Sequence, residues 1–321
     1  MTLTNYIRGL IFASRKVRLG IRSSDVVLEV GGGNNPHFRS NIICDKYIET
    51  SVHRQGALQS PVPIVAGEIE HLPFKDKAFD FVISNHILEH VDHPDRACHE
   101  LARVGQRGFI ETPSEFDERV SGGKHTHKWY VNREGSKLIF KQKEKPFADE
   151  ELARMIWEMQ AAGNAGLQDF RLKNMRHFFT ILKWEGAIDC DVIYIPGGYD
   201  GLQDLEDTAV VDDTKYAAKP NFVFWKRVAR TFIGHRNMQI DLSLLVACPI
   251  CKSDLLQQQN TYICQQCQVY YPIKNGIPYL RPGDAHSLSL SHDKGESTTY
   301  TASTFQPPLP AIEAEKASYV C

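Results

Sequence analysis

The chain has 321 residues, enough for two or three domains, and balances 37 Lys and Arg against 39 Asp and Glu. With 42% hydrophobic and 24% charged residues it has an ordinary globular composition, and a net charge of −2 excludes a bulk polycation built to neutralise nucleic acid. No apolar run approaches the roughly 18–20 residues that a membrane-spanning helix needs.

The opening stretch MTLTNYIRGLIFASRKVRLG is broken at Arg8 and too short for a secretory core. It is expected to form a short amphipathic helix with Tyr6, Ile7, Leu10 and Ile11 inward, in preference to a membrane-surface helix. VVLEV (26–30) is a continuous apolar run between Asp25 and a glycine triplet, the pattern of a buried parallel strand. IIC ending at Asp45, Ile64 to Ala66, FDFVIS (79–84) and RGFIET (107–112) read as further strands. DRACHELARV (95–104) has helical spacing, with Ala97, Leu101 and Val104 on one side. Strands alternating with helical stretches imply βαβ units and a doubly wound, Rossmann-like α/β sheet.

After the fifth strand, 114–148 is polar, basic and without clear periodicity, and it falls where an open α/β sheet has its ligand crevice. It is expected to be a mobile substrate lid. DEELARMIWEMQAAG (149–163) reads as a helix opened by Asp149 and closed by Gly163. FFTILKW (178–184) and DVIYI (191–195) read as strands flanking Glu185-Gly186, suggesting a hairpin, and NFVFWKRV (221–228) as a last strand. The expected domains are 1–235, a compositionally separate unit at 240–283, and a disordered Ser-, Thr- and Pro-rich tail at 284–321.

The first chemical signal is Leu28-Glu29-Val30-Gly31-Gly32-Gly33-Asn34-Asn35-Pro36, a strand running into a glycine turn that lets a ligand approach the main chain. It lacks the GxGxxG spacing of a dinucleotide site. Taken with Asp45, GEIEHLPF (67–74), FDFVIS and HELARV (99–104), the order resembles class I S-adenosylmethionine-dependent methyltransferases, nearest the ubiquinone and menaquinone type, over about 24–113. The resemblance implies the cofactor S-adenosyl-L-methionine. Gly31 and Gly33 would approach its amino-acid half, and Glu29 would orient the loop or reach its ammonium. Asp45 would take the ribose hydroxyls, Glu68 and the Ile69 amide the adenine, and Ser84 and Asn85 would line the transfer crevice. The glycine pattern ends in Asn35, and Glu68 stands where the family often has Asp.

Histidines supply candidate catalytic groups. His86-Ile87-Leu88-Glu89-His90 spells the HxxEH of one class of zinc peptidases, but its position after a buried strand favours His86 facing substrate and His90 packing beneath the crevice. His125 and His127, in GGKHTHKWY (122–130), are candidate general bases on the lid, because imidazole titrates near neutrality.

Of eight cysteines, four form CxxC pairs: Cys248 with Cys251 and Cys264 with Cys267. Two such knuckles 12 residues apart can converge on one tetrahedral metal, structural Zn2+ in the first instance. With no secretory leader, this cysteine usage points to a reducing cytoplasm. The stretch IDLSLLVACPICKSDL through YPIKNGIPYL (about 240–281) resembles the Trm112-like zinc ribbons, whose stand-alone members stabilise methyltransferases. The resemblance implies a ribbon that scaffolds its own enzyme. The expected methyl acceptor is a small metabolite, lipid or saccharide. RNA or a translation factor is the alternative, and a non-catalytic cofactor-binding scaffold the reading from a different class.

Overall fold

The computed structural model describes residues 7, 16, 19–34, 36–49, 58, 60–121, 124–201 and 240–288. The expected N-terminal helix, the 221–228 strand and the tail beyond 288 lie outside them.

The apolar runs form strands because both faces are covered. β1 (Val27–Val30), β2 (Ile42–Asp45), β3 (Ile64–Ala66), β4 (Phe79–Asn85) and β5 (Gly105–Pro113) are parallel and nearly all buried. β8 (Phe179–Glu185) adds antiparallel to β5, giving the order β3-β2-β1-β4-β5-β8. The chain winds outward from β1 to β3 and then returns to β4, so the carboxyl ends of β1 and β4 bound a topological switch point, where such sheets bind ligands. The sheet is packed tightly enough that a Cβ at Gly108 would fall 2.4 Å from the Val82 carbonyl and 2.7 Å from the Trp184 ring.

Helix α1 (Pro94–Val104) joins β4 to β5. Proline in its first turn presets φ, and Ala97, Cys98, Leu101 and Val104 form its fully buried stripe. Leu101 and Val104 each contribute roughly 1.5–3 kcal/mol by leaving water. Its two charged motif residues are structural. Arg103 binds Glu100 through two nitrogens at 2.6 and 2.9 Å and donates to the Phe74 and Leu72 carbonyls at 2.7 and 2.9 Å.

The 114–148 segment is regular, not irregular. It holds α2 (Glu115–Val120), capped by Ser114, and the antiparallel strands β6 (Trp129–Glu134) and β7 (Lys137–Gln142). Trp129, Val131, Leu138 and Phe140 are buried on one face, but Tyr130 between the first pair is buried too and Ile139 between the second is apolar, so no clean period of two shows in the sequence. The expected 178–195 hairpin does not form. β8 joins the main sheet, while β9 (Cys190–Ile193) pairs parallel with β7. Between them, α3 (Glu150–Ala161) is capped by Asp149 and followed by Gly163 at φ 64°. It leads to α4 (Ala165–Phe178), which is capped by Asn164.

The second unit is a small antiparallel sheet of β10 (Leu256–Gln258), β11 (Thr261–Cys264), β12 (Val269–Lys274) and β13 (Ile277–Pro278). β14 (His286–Ser287) pairs with β12, so this sheet continues past residue 283, where the sequence alone put the start of the tail. The unit docks on the open edge of the main sheet. Ala66 at the end of β3 bridges Tyr279, and the Leu280 amide donates to the Ala66 carbonyl at 2.8 Å. Alongside, Phe74 bridges Val246, Lys75 N donates to Leu245 O at 2.9 Å and Ala247 N to Pro73 O at 3.0 Å. Phe74, Leu72, Val246 and Leu280 are fully buried in one continuous apolar cluster. No helix among the described residues is long and apolar enough to cross a membrane.

Candidate functional site

At the carboxyl edge of β1 the chain turns through Gly31 (φ 69°) and Gly33 (φ 54°), left-handed conformations that favour glycine. The two have different neighbours. A Cβ on Gly31 would meet Ile87 Cδ1 at 2.0 Å, whereas one on Gly33 would have no atom of the described residues within 4 Å. The turn is therefore pinned under the β4 loop at its start and open where a ligand would approach. Glu29, 4% exposed, fastens the turn from inside: Oε2 accepts from the His37 amide at 2.6 Å and from Ser40 Oγ at 2.5 Å.

The other expected cofactor residues converge on the same edge. Asp45, buried at the end of β2, accepts from the Tyr47 amide at 2.9 Å. Glu68 follows β3, precedes a short 3-10 helix (Ile69–His71) and sits 3.5 Å from Lys46 Nζ. Ile69 is nearly buried. Ser84 and Asn85 end β4, and Ser84 Oγ, Asn85 Oδ1 and Thr112 Oγ1 on neighbouring β5 are buried without a hydrogen-bond partner among the described residues. Buried polar atoms are normally satisfied, so orphans gathered at one edge fit a polar ligand there.

The HxxEH segment is not helical. Residues 88–90 form a turn and His86 has φ 57°. The His86 imidazole lies 3.6 Å from both Glu89 and Glu111. Burial works against its charge, but the two carboxylates prevail and hold its pKa up at about 9. With that shift the ring is protonated near neutrality and acts as a donor. The two lid histidines also part company. His125 is exposed and packs edge-on against Phe147, 4.4 Å between centroids. His127 is 4% exposed, far from an open lid position, and its Nδ1 binds Glu118 at 2.5 Å. Glu118 in turn binds Lys143, which is itself buried; both partners hold the Glu118 carboxyl below its ordinary pKa against the opposing effect of burial.

Glu111 and Glu118 were not singled out from sequence, Glu89 stood out only within HxxEH, and Lys143 only as one of the basic residues of 114–148. A signal existed for Glu111, a charge inside the apolar run FIET at a strand's carboxyl end. Glu118 and Lys143 lie 25 positions apart in a stretch rich in charge, and no local pattern marks them.

In the second unit, Cys248, Cys251, Cys264 and Cys267 bring their sulfurs within 4.8 Å of one another. Cys248 Sγ is 3.9 Å from that of Cys267, and Cys251 Sγ 3.5 Å from that of Cys264. Four convergent thiols fit a tetrahedral structural ion.

Residues 42–109 match the family model described as a methyltransferase domain. The chain is 46% identical over 63 residues to the demethylmenaquinone methyltransferase of Thermobifida fusca (strain YX), covering 20% of this chain and 27% of that protein. It is 37% identical over 64 residues to a UPF0434 protein of Vibrio cholerae serotype O1, covering 19% of this chain and 100% of that protein. The chain thus spans about a quarter of the methyltransferase relative and the whole of the UPF0434 relative. Among solved structures, the complex formed by the Haloferax volcanii Trm112 methyltransferase activator overlaps 56% of this chain and 88% of the matched chain. That match has 14% identity and a TM-score of 0.33, a likeness too slight to carry an argument.

Proposed function

Because the chain belongs to the UPF0434 family over 64 residues and carries a methyltransferase domain at 42–109, we propose that it is an S-adenosylmethionine-dependent methyltransferase braced by its own zinc ribbon. The observation that carries this reading is the β1–β4 switch point, where the glycine turn, a buried Asp45 and the Ser84 and Asn85 atoms without partners among the described residues lie at one edge of the sheet.

The cofactor supplies a sulfonium methyl to an in-line nucleophile. The chain's own work is to position and to exclude water. Gly33 admits the ligand to the main chain, and Glu29 holds the turn by bonding His37 and Ser40. Asp45 offers a carboxylate acceptor for a diol, and Glu68 with the Ile69 amide an acceptor and a donor for a purine. His125, exposed beside Phe147, is the proposed proton acceptor for an acceptor hydroxyl or amine.

The proposed acceptor is a small metabolite, lipid or saccharide. The ribbon's proposed role is a scaffold in cis. Cys248, Cys251, Cys264 and Cys267 would hold Zn2+ with no ligand position left for catalysis. The buried free thiols of Cys44 and Cys98 suit a reducing, cytoplasmic setting.

Calorimetric titration with S-adenosylmethionine, followed by tracing of labelled methyl into fractionated lysate, tests the proposal. Saturable binding and label in the small-molecule or lipid fraction are expected. Label in RNA or protein would replace the acceptor class, binding without transfer would favour a scaffold, and no binding would remove the enzyme.

A further inference from the structure

The methyltransferase reading leaves one buried cluster without work. Glu89 follows β4, and both its carboxylate oxygens are buried with no hydrogen-bond partner among the described residues. The residue is 1% exposed. The nearest imidazole nitrogens, His86 Nδ1 at 3.6 Å and His90 Nε2 at 3.9 Å, stand too far for a hydrogen bond. A carboxylate taken out of water costs several kcal/mol unless something compensates it.

Two histidines converge on this carboxylate. One ligand atom each from Glu89, His90 and His127 lies within 4.8 Å of the others. The His90 and His127 rings meet edge to face at 4.5 Å. Both rings are fixed from behind. His90 Nδ1 lies 3.0 Å from the Thr126 carbonyl, which can only accept, so this nitrogen carries the proton and Nε2 the lone pair. His127 Nδ1 binds the Glu118 carboxylate at 2.5 Å, leaving Nε2 as its ligating nitrogen, and buried Lys143 holds Glu118 in place. A carbonyl or carboxylate behind each imidazole is the outer shell of a metal-binding histidine.

We infer that Glu89, His90 and His127 form a second metal site, distinct from the four cysteines, that takes a divalent first-row cation through two imidazoles and one carboxylate. The zinc-peptidase reading of HxxEH would have paired His86 with His90 across a helical turn. The fold instead pairs His90 with His127 from the loop before β6. Three protein ligands leave coordination positions for water or for an oxygen of the acceptor. The four-cysteine site has no such positions. Only the functional use of the cation depends on the methyltransferase reading; its binding does not, and it is measured here without cofactor.

The test uses the full chain with its cysteine site loaded with zinc, titrated with Co2+. One further equivalent is expected, with weak d–d absorption and no thiolate-to-metal charge transfer. Glu89→Gln and His127→Ala should each weaken Co2+ binding at least tenfold, with zinc content unchanged and melting followed alongside. His99→Ala, on an exposed imidazole of α1, should bind as wild type. The wild-type stoichiometry stands alone if either variant fails to fold. No Co2+ beyond the zinc, charge transfer showing thiolate ligation only, or equal binding by the folded variants would overturn the site. In that event Glu89 is a structural partner of its neighbouring imidazoles, and methyl transfer is left untouched.

Discussion

The two exposed margins of the main sheet are finished in opposite ways. Along β3, where an open edge would invite pairing with another chain, the ribbon supplies main-chain partners through Tyr279 and Leu280 and closes a dry seam with Val246 against Phe74. Along the carboxyl ends of β4 and β5, polar atoms of Ser84, Asn85, Glu89 and Thr112 are buried with no partner among the described residues. One margin is satisfied by the ribbon, and the other holds the polar atoms that the proposed cofactor site would use. The difference separates a stability surface from a binding surface on one sheet.

The sharpest way to break the comparison is to remove metal from the ribbon. Structural zinc contributes about 10 kcal/mol or more to small metal-folded units. Chelation or Cys251→Ser should unfold the ribbon sheet and lower the melting temperature of the whole chain, read by circular dichroism and calorimetry. Unchanged melting would mean that the edge contacts hold without metal. Phe74→Ala comes next. It empties a fully buried ring that packs edge-on against Phe79 at 4.9 Å, and should cost about 3–5 kcal/mol by denaturant titration.

On the other margin, Asp45→Ala should weaken S-adenosylmethionine binding about tenfold, about 1.4 kcal/mol, while melting moves little. A collapse in stability with unchanged affinity would make Asp45 a structural cap for Tyr47 only. The smallest effect expected is at Lys252→Ala. The 2.8 Å ion pair from the ribbon to Glu100 is partly exposed, and Glu100 keeps Arg103, so a loss of about 1 kcal/mol or less is expected.

Much of this was legible in the sequence where the signal was local. The runs at 26–30 and 79–84 had to be buried strands, and the HELARV stretch had to be a helix with one apolar stripe. The segment after β5 misled because its two short strands carry apolar residues at consecutive positions, Trp129 to Val131 and Leu138 to Phe140, so that only their pairing identifies them. FFTILKW and DVIYI look alike as strands, yet they belong to different sheets. Their separation is set by whether β5 or β7 has a free edge, which no local pattern records.

The sequence by itself determined the parallel core, the glycine turn and the four cysteine sulfurs, because periodicity, glycine's φ range and CxxC spacing act over a few residues. Only the tertiary structure decided that the ribbon closes the β3 edge, that His127 is buried against Glu118, and that Glu89 faces two imidazoles. Those arrangements depend on side-chain directions and long-range pairing that no short window of sequence records, and their energies depend on which charges lose water together.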